Sequence, residues 1–209
     1  MTEFIKILEI IGTMAFSISG ALIACSAGLD IFGVVFVGCI TAFGGGILRD
    51  ILLGITPPTV FSNYLMFLIA VISALGVFII AYINKDKFSI LKSKIDYVNN
   101  FFDAVGLAAF SVTGAQVGLS AGHNALIVVI VGMITGVGGG IMRDIMIDTT
   151  PYVFKKHIYA LASVWGSWFY YILRQYIDSV SITSAMAMLS VIAIRMAATK
   201  FRWSLPKVK

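Results

Sequence analysis

Charged side chains are scarce in this sequence, and their scarcity excludes a water-soluble domain. Only 12% of the 209 residues are charged, whereas 59% are apolar. A soluble domain carries about 25% charged residues and needs them to cover its surface. The composition therefore predicts a protein whose surface faces lipid.

Cysteine is also scarce, and the signatures of enzymes and metal sites are missing. Cys25 and Cys39 lie in or beside apolar runs, so we expect free thiols and no disulfide framework. His123 and His157 are isolated and lack the spacing of metal ligands. Nucleophile elbows, zinc boxes and dinucleotide fingerprints are absent from the sequence. We therefore predict no enzymatic activity, no cofactor and no bound metal.

The sequence has instead seven apolar runs long enough to cross a bilayer, which takes about 20 residues in a helix. They cover approximately residues 4–25, 31–53, 61–83, 101–119, 125–147, 153–174 and 181–199. The first run starts at once, with no basic region before it, so no cleavable signal peptide is predicted. The predicted fold class is all-α, a polytopic membrane protein with seven transmembrane helices.

The first half of the chain repeats in the second half at an offset of 94 residues. Between Gly12 and Pro57, 24 of 46 positions are identical to their partners without a gap. The pattern predicts a three-helix repeat over residues 1–94, a second over 95–180, and a seventh helix with a basic tail over 181–209. Three spans is an odd number, so the second repeat must be inverted in the membrane, as in many transporters.

Basic residues indicate the orientation. In a seven-span chain, ten lysines and arginines lie on one side against Lys6 and Arg174 on the other. The ten are Lys85, Lys87, Lys92, Lys94, Lys155, Lys156, Lys200, Arg202, Lys207 and Lys209. The positive-inside rule predicts a multi-pass protein of the cell (inner) membrane, with its N-terminus outside and its C-terminus cytoplasmic. The net charge of +5 then favours contact with anionic lipids at the cytoplasmic face, and no nucleic-acid partner is predicted.

The repeated motif places three consecutive glycines inside the second and fifth spans. These are Gly44, Gly45 and Gly46, repeated as Gly138, Gly139 and Gly140. Each glycine costs a helix about 1 kcal/mol relative to alanine, so the triplets need a reason. One hypothesis is close packing between helices. The other is a kink, in which backbone groups leave the helical ladder and face a polar cavity. A phosphate-binding loop is excluded, because no strand precedes the glycines.

An arginine–aspartate pair follows each triplet by one turn, and charges near the bilayer centre are costly. The pairs are Arg49–Asp50 and Arg143–Asp144. They either mark interfacial helix ends, where arginine reaches the headgroups, or belong to a buried charge network. Glu9 and Asp103 are also repeat equivalents. Inversion puts each at the depth of the nearer arginine, which makes the pairs Glu9–Arg49 and Asp103–Arg143 geometrically feasible. Arg195, which has no repeat partner, is expected to reach the cytoplasmic interface.

Small polar residues follow one face of the inner spans. Candidates for a pore lining are Thr13, Ser17, Thr41, Ser111, Thr135 and Gln116. Helix packing explains small hydroxyl residues equally well.

A doubled three-span unit with Gly-Gly-Gly-x-x-Arg-Asp in each second helix, followed by a seventh helix, resembles the trimeric intracellular cation (TRIC) channels, above all their prokaryotic members. The resemblance covers about residues 4–200. It implies a homotrimer with a pore in each protomer, surrounded by the first, second, fourth and fifth helices. It also implies kinks at both glycine triplets and conduction of K⁺ and Na⁺.

Two functions stay open on the sequence. A passive monovalent cation channel is one, with the arginine–aspartate pairs controlling its gate. An alternating-access carrier for glycine or another small amino acid is the other, because helix N-termini after the glycine triplets would hold a substrate carboxylate.

Overall fold

Each apolar run of the sequence contains helix in the computed structural model, which describes residues 3–85, 88, 92–155 and 158–203. Lys87, Lys156, His157, Lys207 and Lys209 lie outside the described residues. The helices are α1 (Glu3–Ser26), α2 (Ile31–Leu52), α3 (Tyr64–Ile83), α4 (Lys92–Ser120), α5 (Ala125–Met146), α6 (Tyr152–Lys155), α7 (Ile158–Tyr176) and α8 (Val180–Lys200), with a 3₁₀ turn at Thr59–Ser62. The all-α fold class is thereby confirmed.

Six of these helices are long and apolar enough to cross a membrane, within the part of the chain that the structure describes. They are α1, α2, α3, α4, α5 and α8. The predicted sixth span is the exception: α7 is helical but falls outside this group. Its tryptophans, tyrosines and terminal Arg174 and Gln175 dilute its apolar character.

Helix ends follow capping signals that recur at the 94-residue offset. The side chains of Asp30 and Asn124 accept hydrogen bonds from the backbone N–H groups of Gly33 and Ile127, one turn into α2 and α5. Gly28 and Gly122 end α1 and α4 with φ of 79° and 77°, a conformation that favours glycine. Consequently α2 and α5 have bounds related by the same offset of 94 residues.

The fourth helix is longer than predicted. It begins at Lys92, although the apolar run begins only at Phe101. The added turns are polar, yet Asn99 and Asn100 are buried because Ser19 and Tyr152 donate hydrogen bonds to their side-chain oxygens. Hydropathy alone does not detect helix that is stabilised in this way.

Four helices, α1, α2, α4 and α5, pack together at the centre, with α3 against α1 and α2. On the other side α7 packs against α4 and α5, and α8 packs against α4 and α7. At the centre the rings of Phe16 and Phe110 lie 5.4 Å apart. Each ring lies against a glycine of the neighbouring helix, Phe16 against Gly106 and Phe110 against Gly12. Both cysteines are free.

Candidate functional site: two charge clusters joined by a glycine crossing

The glycine triplets lie where α2 and α5 cross. A β-carbon on Gly45 would collide with the carbonyl oxygen of Thr135, and one on Gly139 would collide with that of Thr41. A β-carbon on Gly138 would come within 3.0 Å of the Cα atom of Gly45. The missing side chains therefore let the two backbones touch, which is the packing role that small residues have between membrane helices.

Both helices continue through their triplets without interruption. The α-helical conformation runs unbroken from Ile31 to Leu52 and from Ala125 to Met146. The helical ladder therefore continues through Gly44–Gly46 and Gly138–Gly140, and a kink of the helix axis at these glycines stays a prediction. Close packing supplies the physical reason for the glycines, and an intact helix keeps its backbone groups paired at membrane depth.

Most of the candidate pore-lining hydroxyl groups are bonded to nearby carbonyl groups. Thr41 and Thr135 donate to Val37 and Val131, one turn earlier in the same helix, at 2.6 Å in both cases. Ser17 donates to the carbonyl of Ala70 at 2.6 Å, and Ser111 donates to that of Leu107. These four side chains are buried in helix contacts.

The other two candidates make different contacts. Gln116 donates to the Ser120 hydroxyl at 2.8 Å and accepts a hydrogen bond from Tyr170. Thr13 lines a cavity.

Arg49 and Asp50 form the first charge cluster. The Nε atom of Arg49 donates to Asp50 Oδ1 at 2.7 Å. The other carboxylate oxygen of Asp50 accepts from the backbone N–H and the hydroxyl of Thr59, at 2.8 and 2.7 Å. Arg49 also reaches the Thr59 hydroxyl at 3.2 Å. The 3₁₀ turn that starts at Thr59 thus lies over the end of α2, and Thr59 hydrogen-bonds both charged side chains.

A cavity of about 310 Å³ lies beside this cluster. Its wall comes from α1, α2, α3, α4 and the 3₁₀ turn, and includes Glu9, Thr13, Arg49, Asp50 and Val117. Among the described residues Glu9 has no basic partner within 4.0 Å, so the predicted Glu9–Arg49 ion pair is not formed. The reason is local: Asp50 and Thr59 already occupy Arg49. The cavity wall thus has two acidic side chains and one basic one.

Arg143 forms the second cluster and is 1% exposed. Its Nε atom donates to Asp144 at 2.9 Å, and its Nη1 atom donates to Asp103 at 3.0 Å and to Ser19 at 2.8 Å. Ser19 in turn donates to Asn99 at 2.7 Å. The Asp103–Arg143 pair foreseen from the repeat is therefore present. One guanidinium joins α1, α4 and α5.

The two clusters lie toward opposite ends of the bundle. Arg49 shares its cavity with Glu9, near the start of α1, whereas Arg143 contacts Ser19, later in the same helix. We call them the Arg49 end and the Arg143 end. The glycine crossing lies between them.

The structure adds three residues to the Arg143 end that the sequence reasoning missed. Ser19 bonds Arg143, and the Tyr159 hydroxyl donates to Asp103 at 3.3 Å. Arg195 of α8 is 2% exposed, with its guanidinium carbon 4.7 Å from the centre of the Tyr159 ring. The prediction that Arg195 reaches the interface is therefore wrong, because α8 turns it toward α4 and α7. The sequence contained one indication of this role, because Arg195 is a charged residue inside the last apolar run.

Comparison with known proteins also reflects the two halves of the chain. A family model described as "Glycine transporter" matches residues 6–82 and 100–175, one segment in each half of the chain. A UPF0126 membrane protein of Vibrio cholerae is 34% identical over 98% of this chain and 83% of its own length. The UPF0126 inner membrane protein YadS of Escherichia coli is 33% identical over 95% of this chain and 93% of its own.

Solved structures also superpose on this chain over almost its whole length. A prokaryotic TRIC channel, crystallised in 0.5 M KCl, superposes with a TM-score of 0.88 and 35% identity, over 98% of this chain and all of that one. The chain belongs to the TRIC family. A second TRIC structure, the trimeric intracellular cation channel orthologue from Rhodobacter sphaeroides, superposes on this TRIC-family protein with a TM-score of 0.85 and 27% identity. It covers 97% of the present chain.

The resemblance predicted from the doubled glycine motif is therefore confirmed. This TRIC-family protein is a helical membrane protein, and its relatives among solved structures are channels. Within its described residues, no group of three histidine, cysteine or acidic side chains is placed to hold a metal ion.

Proposed function

We propose that this TRIC-family protein is a monovalent cation channel, conducting K⁺ and also Na⁺, with one pore in each protomer. Its path runs from the Arg49 end to the Arg143 end, past α2 and α5. The support is twofold: 35% identity to a solved TRIC channel across almost the whole chain, and the charge of the cavity at the Arg49 end.

The cavity is the observation that carries the proposal. Glu9 lines it without an ion-pair partner among the described residues, while Asp50 balances Arg49. An excess carboxylate within low-dielectric walls lowers the energy of a nearby cation and raises its local concentration. The Arg143 end presents a different picture, because Arg143 bonds both of its aspartates and all of these side chains are buried. We infer that this arrangement is a closed state, open to ions at the Arg49 end and shut at the Arg143 end.

A carrier for glycine or another small amino acid is the second candidate. The cavity of about 310 Å³ has room for such a molecule, and the Arg49 guanidinium lies on its wall. Two features count against this function. Arg49 is already paired with Asp50, and α2 and α5 contain no internal helix N-terminus to receive a carboxylate.

Electrical recording separates the two functions. Purified protein in a planar bilayer under a KCl gradient should give discrete unitary currents that reverse near the K⁺ equilibrium potential. Replacing K⁺ with Na⁺ should leave currents, whereas a large organic cation should abolish them. A silent bilayer together with saturable uptake of glycine into proteoliposomes would instead establish the carrier.

The membrane architecture is part of the proposal. We infer seven spans, arranged as inverted repeats over 1–94 and 95–180 with a seventh helix and tail over 181–209. The unit is proposed to be a homotrimer of the inner membrane, with its N-terminus outside and its C-terminus cytoplasmic. Basic residues at the cytoplasmic face, such as Lys85 and Lys94, would contact anionic lipid headgroups.

Labelling at two matched turns tests the inversion. Ala27 and Ala121 are repeat equivalents, and both are exposed in the turns that follow α1 and α4. In a background with Cys25→Ser and Cys39→Ser, we expect Ala27→Cys to react with an impermeant thiol reagent only after the cells are opened. Ala121→Cys should react in intact cells. Labelling of both from the same side would refute the inverted arrangement.

A further inference from the structure

Arg195 and Asp103 form an incomplete ion pair inside the Arg143 end. The Nη2 atom of Arg195 lies 3.6 Å from Asp103 Oδ2, which is beyond ordinary hydrogen-bonding distance. In the described part of the chain, Asp103 Oδ2 and the Nε and Nη2 atoms of Arg195 are buried without a hydrogen-bond partner. Nearly all buried polar atoms in folded proteins are bonded, so a donor and an acceptor this close and unpaired call for an explanation.

The other oxygen of the same carboxylate is fully engaged. Asp103 Oδ1 accepts from Arg143 at 3.0 Å and from the Tyr159 hydroxyl at 3.3 Å. One carboxylate thus lies between two guanidinium groups, one bonded and one adjacent. The repeat-equivalent carboxylate, Glu9, has no second arginine, because Arg195 belongs to the helix that has no repeat partner.

We propose that Arg195 is a positioning residue for gating, which takes over Asp103 when Arg143 releases it. This inference rests on the proposed channel function. Because Arg143 ties α1, α4 and α5 together through Ser19, Asp103 and Asp144, the Arg143 end cannot open until some of these bonds break. An aspartate released without a partner would be a buried unpaired charge, which is strongly unfavourable.

Arg195 removes this energetic cost by pairing with the released aspartate. The Tyr159 ring holds its guanidinium in place, and a shift of about 0.7 Å from the observed 3.6 Å would give an ordinary hydrogen bond to Asp103. The open state then keeps a paired carboxylate, so α8 sets the equilibrium between closed and open states without lining the pore.

Single-channel recording in KCl tests this mechanism. In Arg195→Gln we expect the open probability to fall by about tenfold, the size of a typical coupling between contacting charges, while the unitary conductance stays at the wild-type value. Arg195→Lys keeps the charge but not the planar fork, and should give an intermediate open probability. In an Asp103→Asn background, Arg195→Gln should have no further effect, because the shared charge is gone.

The outcomes are distinguishable. An unchanged open probability in Arg195→Gln, or the same fall with and without Asp103→Asn, would overturn the proposal, because Arg195 would not act through that carboxylate. If Arg195→Gln yields no folded protein, Arg195→Lys in the two backgrounds decides: a fall only where Asp103 is intact supports the proposal, and equal falls refute it. Absence of current from the wild-type protein would refute the channel itself and this inference with it.

Discussion

Arg143→Met is expected to destabilise the protein much more than Arg49→Met. The change removes two ion pairs and the bond to Ser19 from a buried cluster, leaving Asp144 with the Tyr152 N–H and Asp103 with the Tyr159 hydroxyl and the more distant Arg195. Removing one partner of a buried ion pair costs about 3–5 kcal/mol, and this change takes a partner from two carboxylates at once. Methionine fills much of the vacated volume, so the loss reports charge and hydrogen bonding more than packing.

Arg49→Met should be milder because it breaks one ion pair, whereas Arg143→Met breaks two. The N–H and hydroxyl groups of Thr59 still bond the Asp50 carboxylate, and the adjacent cavity of about 310 Å³ gives room for solvation. We expect a cost nearer to that of one charge-assisted hydrogen bond, about 1.5–3 kcal/mol.

Thermal unfolding of the two variants in detergent, followed by size-exclusion chromatography, measures the difference. Arg143→Lys serves as the control for charge, since a single ammonium cannot match the fork that serves Asp103, Asp144 and Ser19. It should fall between the wild type and Arg143→Met. Equal melting temperatures for Arg49→Met and Arg143→Met would show that the buried network at the Arg143 end does not hold the closed structure together.

The asymmetry between the two ends explains what the sequence could and could not predict. The 94-residue offset foresaw matching bounds for α2 and α5, and the Asp103–Arg143 pair. It foresaw equally a Glu9–Arg49 pair, which is absent: Arg49 bonds Asp50 and the Thr59 hydroxyl instead. The turns after α2 and α5 both donate a backbone N–H to the aspartate, from Thr59 and from Tyr152, but Thr59 corresponds to Val153, which has no hydroxyl to contact the arginine.

Arg195 shows a second limit of reasoning from the repeat. The last helix has no counterpart in the other half, so no equivalence indicated which way this arginine points. Its burial depends on α8 packing against α4 and α7, where the Tyr159 ring receives the guanidinium. Apolar length alone placed the helix and left the direction of the Arg195 side chain undetermined.

The glycine triplets were ambiguous for a different reason. Glycine weakens a helix and also lets two helices touch, and both effects have the same sequence signature. Only the atoms that surround each glycine in the structure distinguish the two effects. The carbonyl oxygens of Thr135 and Thr41 lie against Gly45 and Gly139, whereas a β-carbon on Gly46 would meet only the Arg49 side chain, at 3.9 Å.

Neighbouring glycines of one triplet should therefore respond in opposite ways to the same substitution. Gly45→Ala should destabilise the protein by more than about 3 kcal/mol, the upper end of ordinary overpacking, because the new methyl group meets backbone that cannot rotate away. Gly46→Ala should leave stability unchanged or raise it by up to about 1 kcal/mol, since alanine favours the helix and finds room. Gly139→Ala should resemble Gly45→Ala.

Melting temperature and oligomer size in detergent give the comparison, with Gly76→Ala as a control on α3, where an added β-carbon meets nothing within 4 Å. A hinge would behave differently from a contact. If the triplet acted by flexing, stiffening it at Gly46 would impair channel opening as much as stiffening it at Gly45, and neither change would loosen the fold. Equal stability of Gly45→Ala and Gly46→Ala would contradict the packing role, because Gly45 touches the backbone of α5 and Gly46 does not.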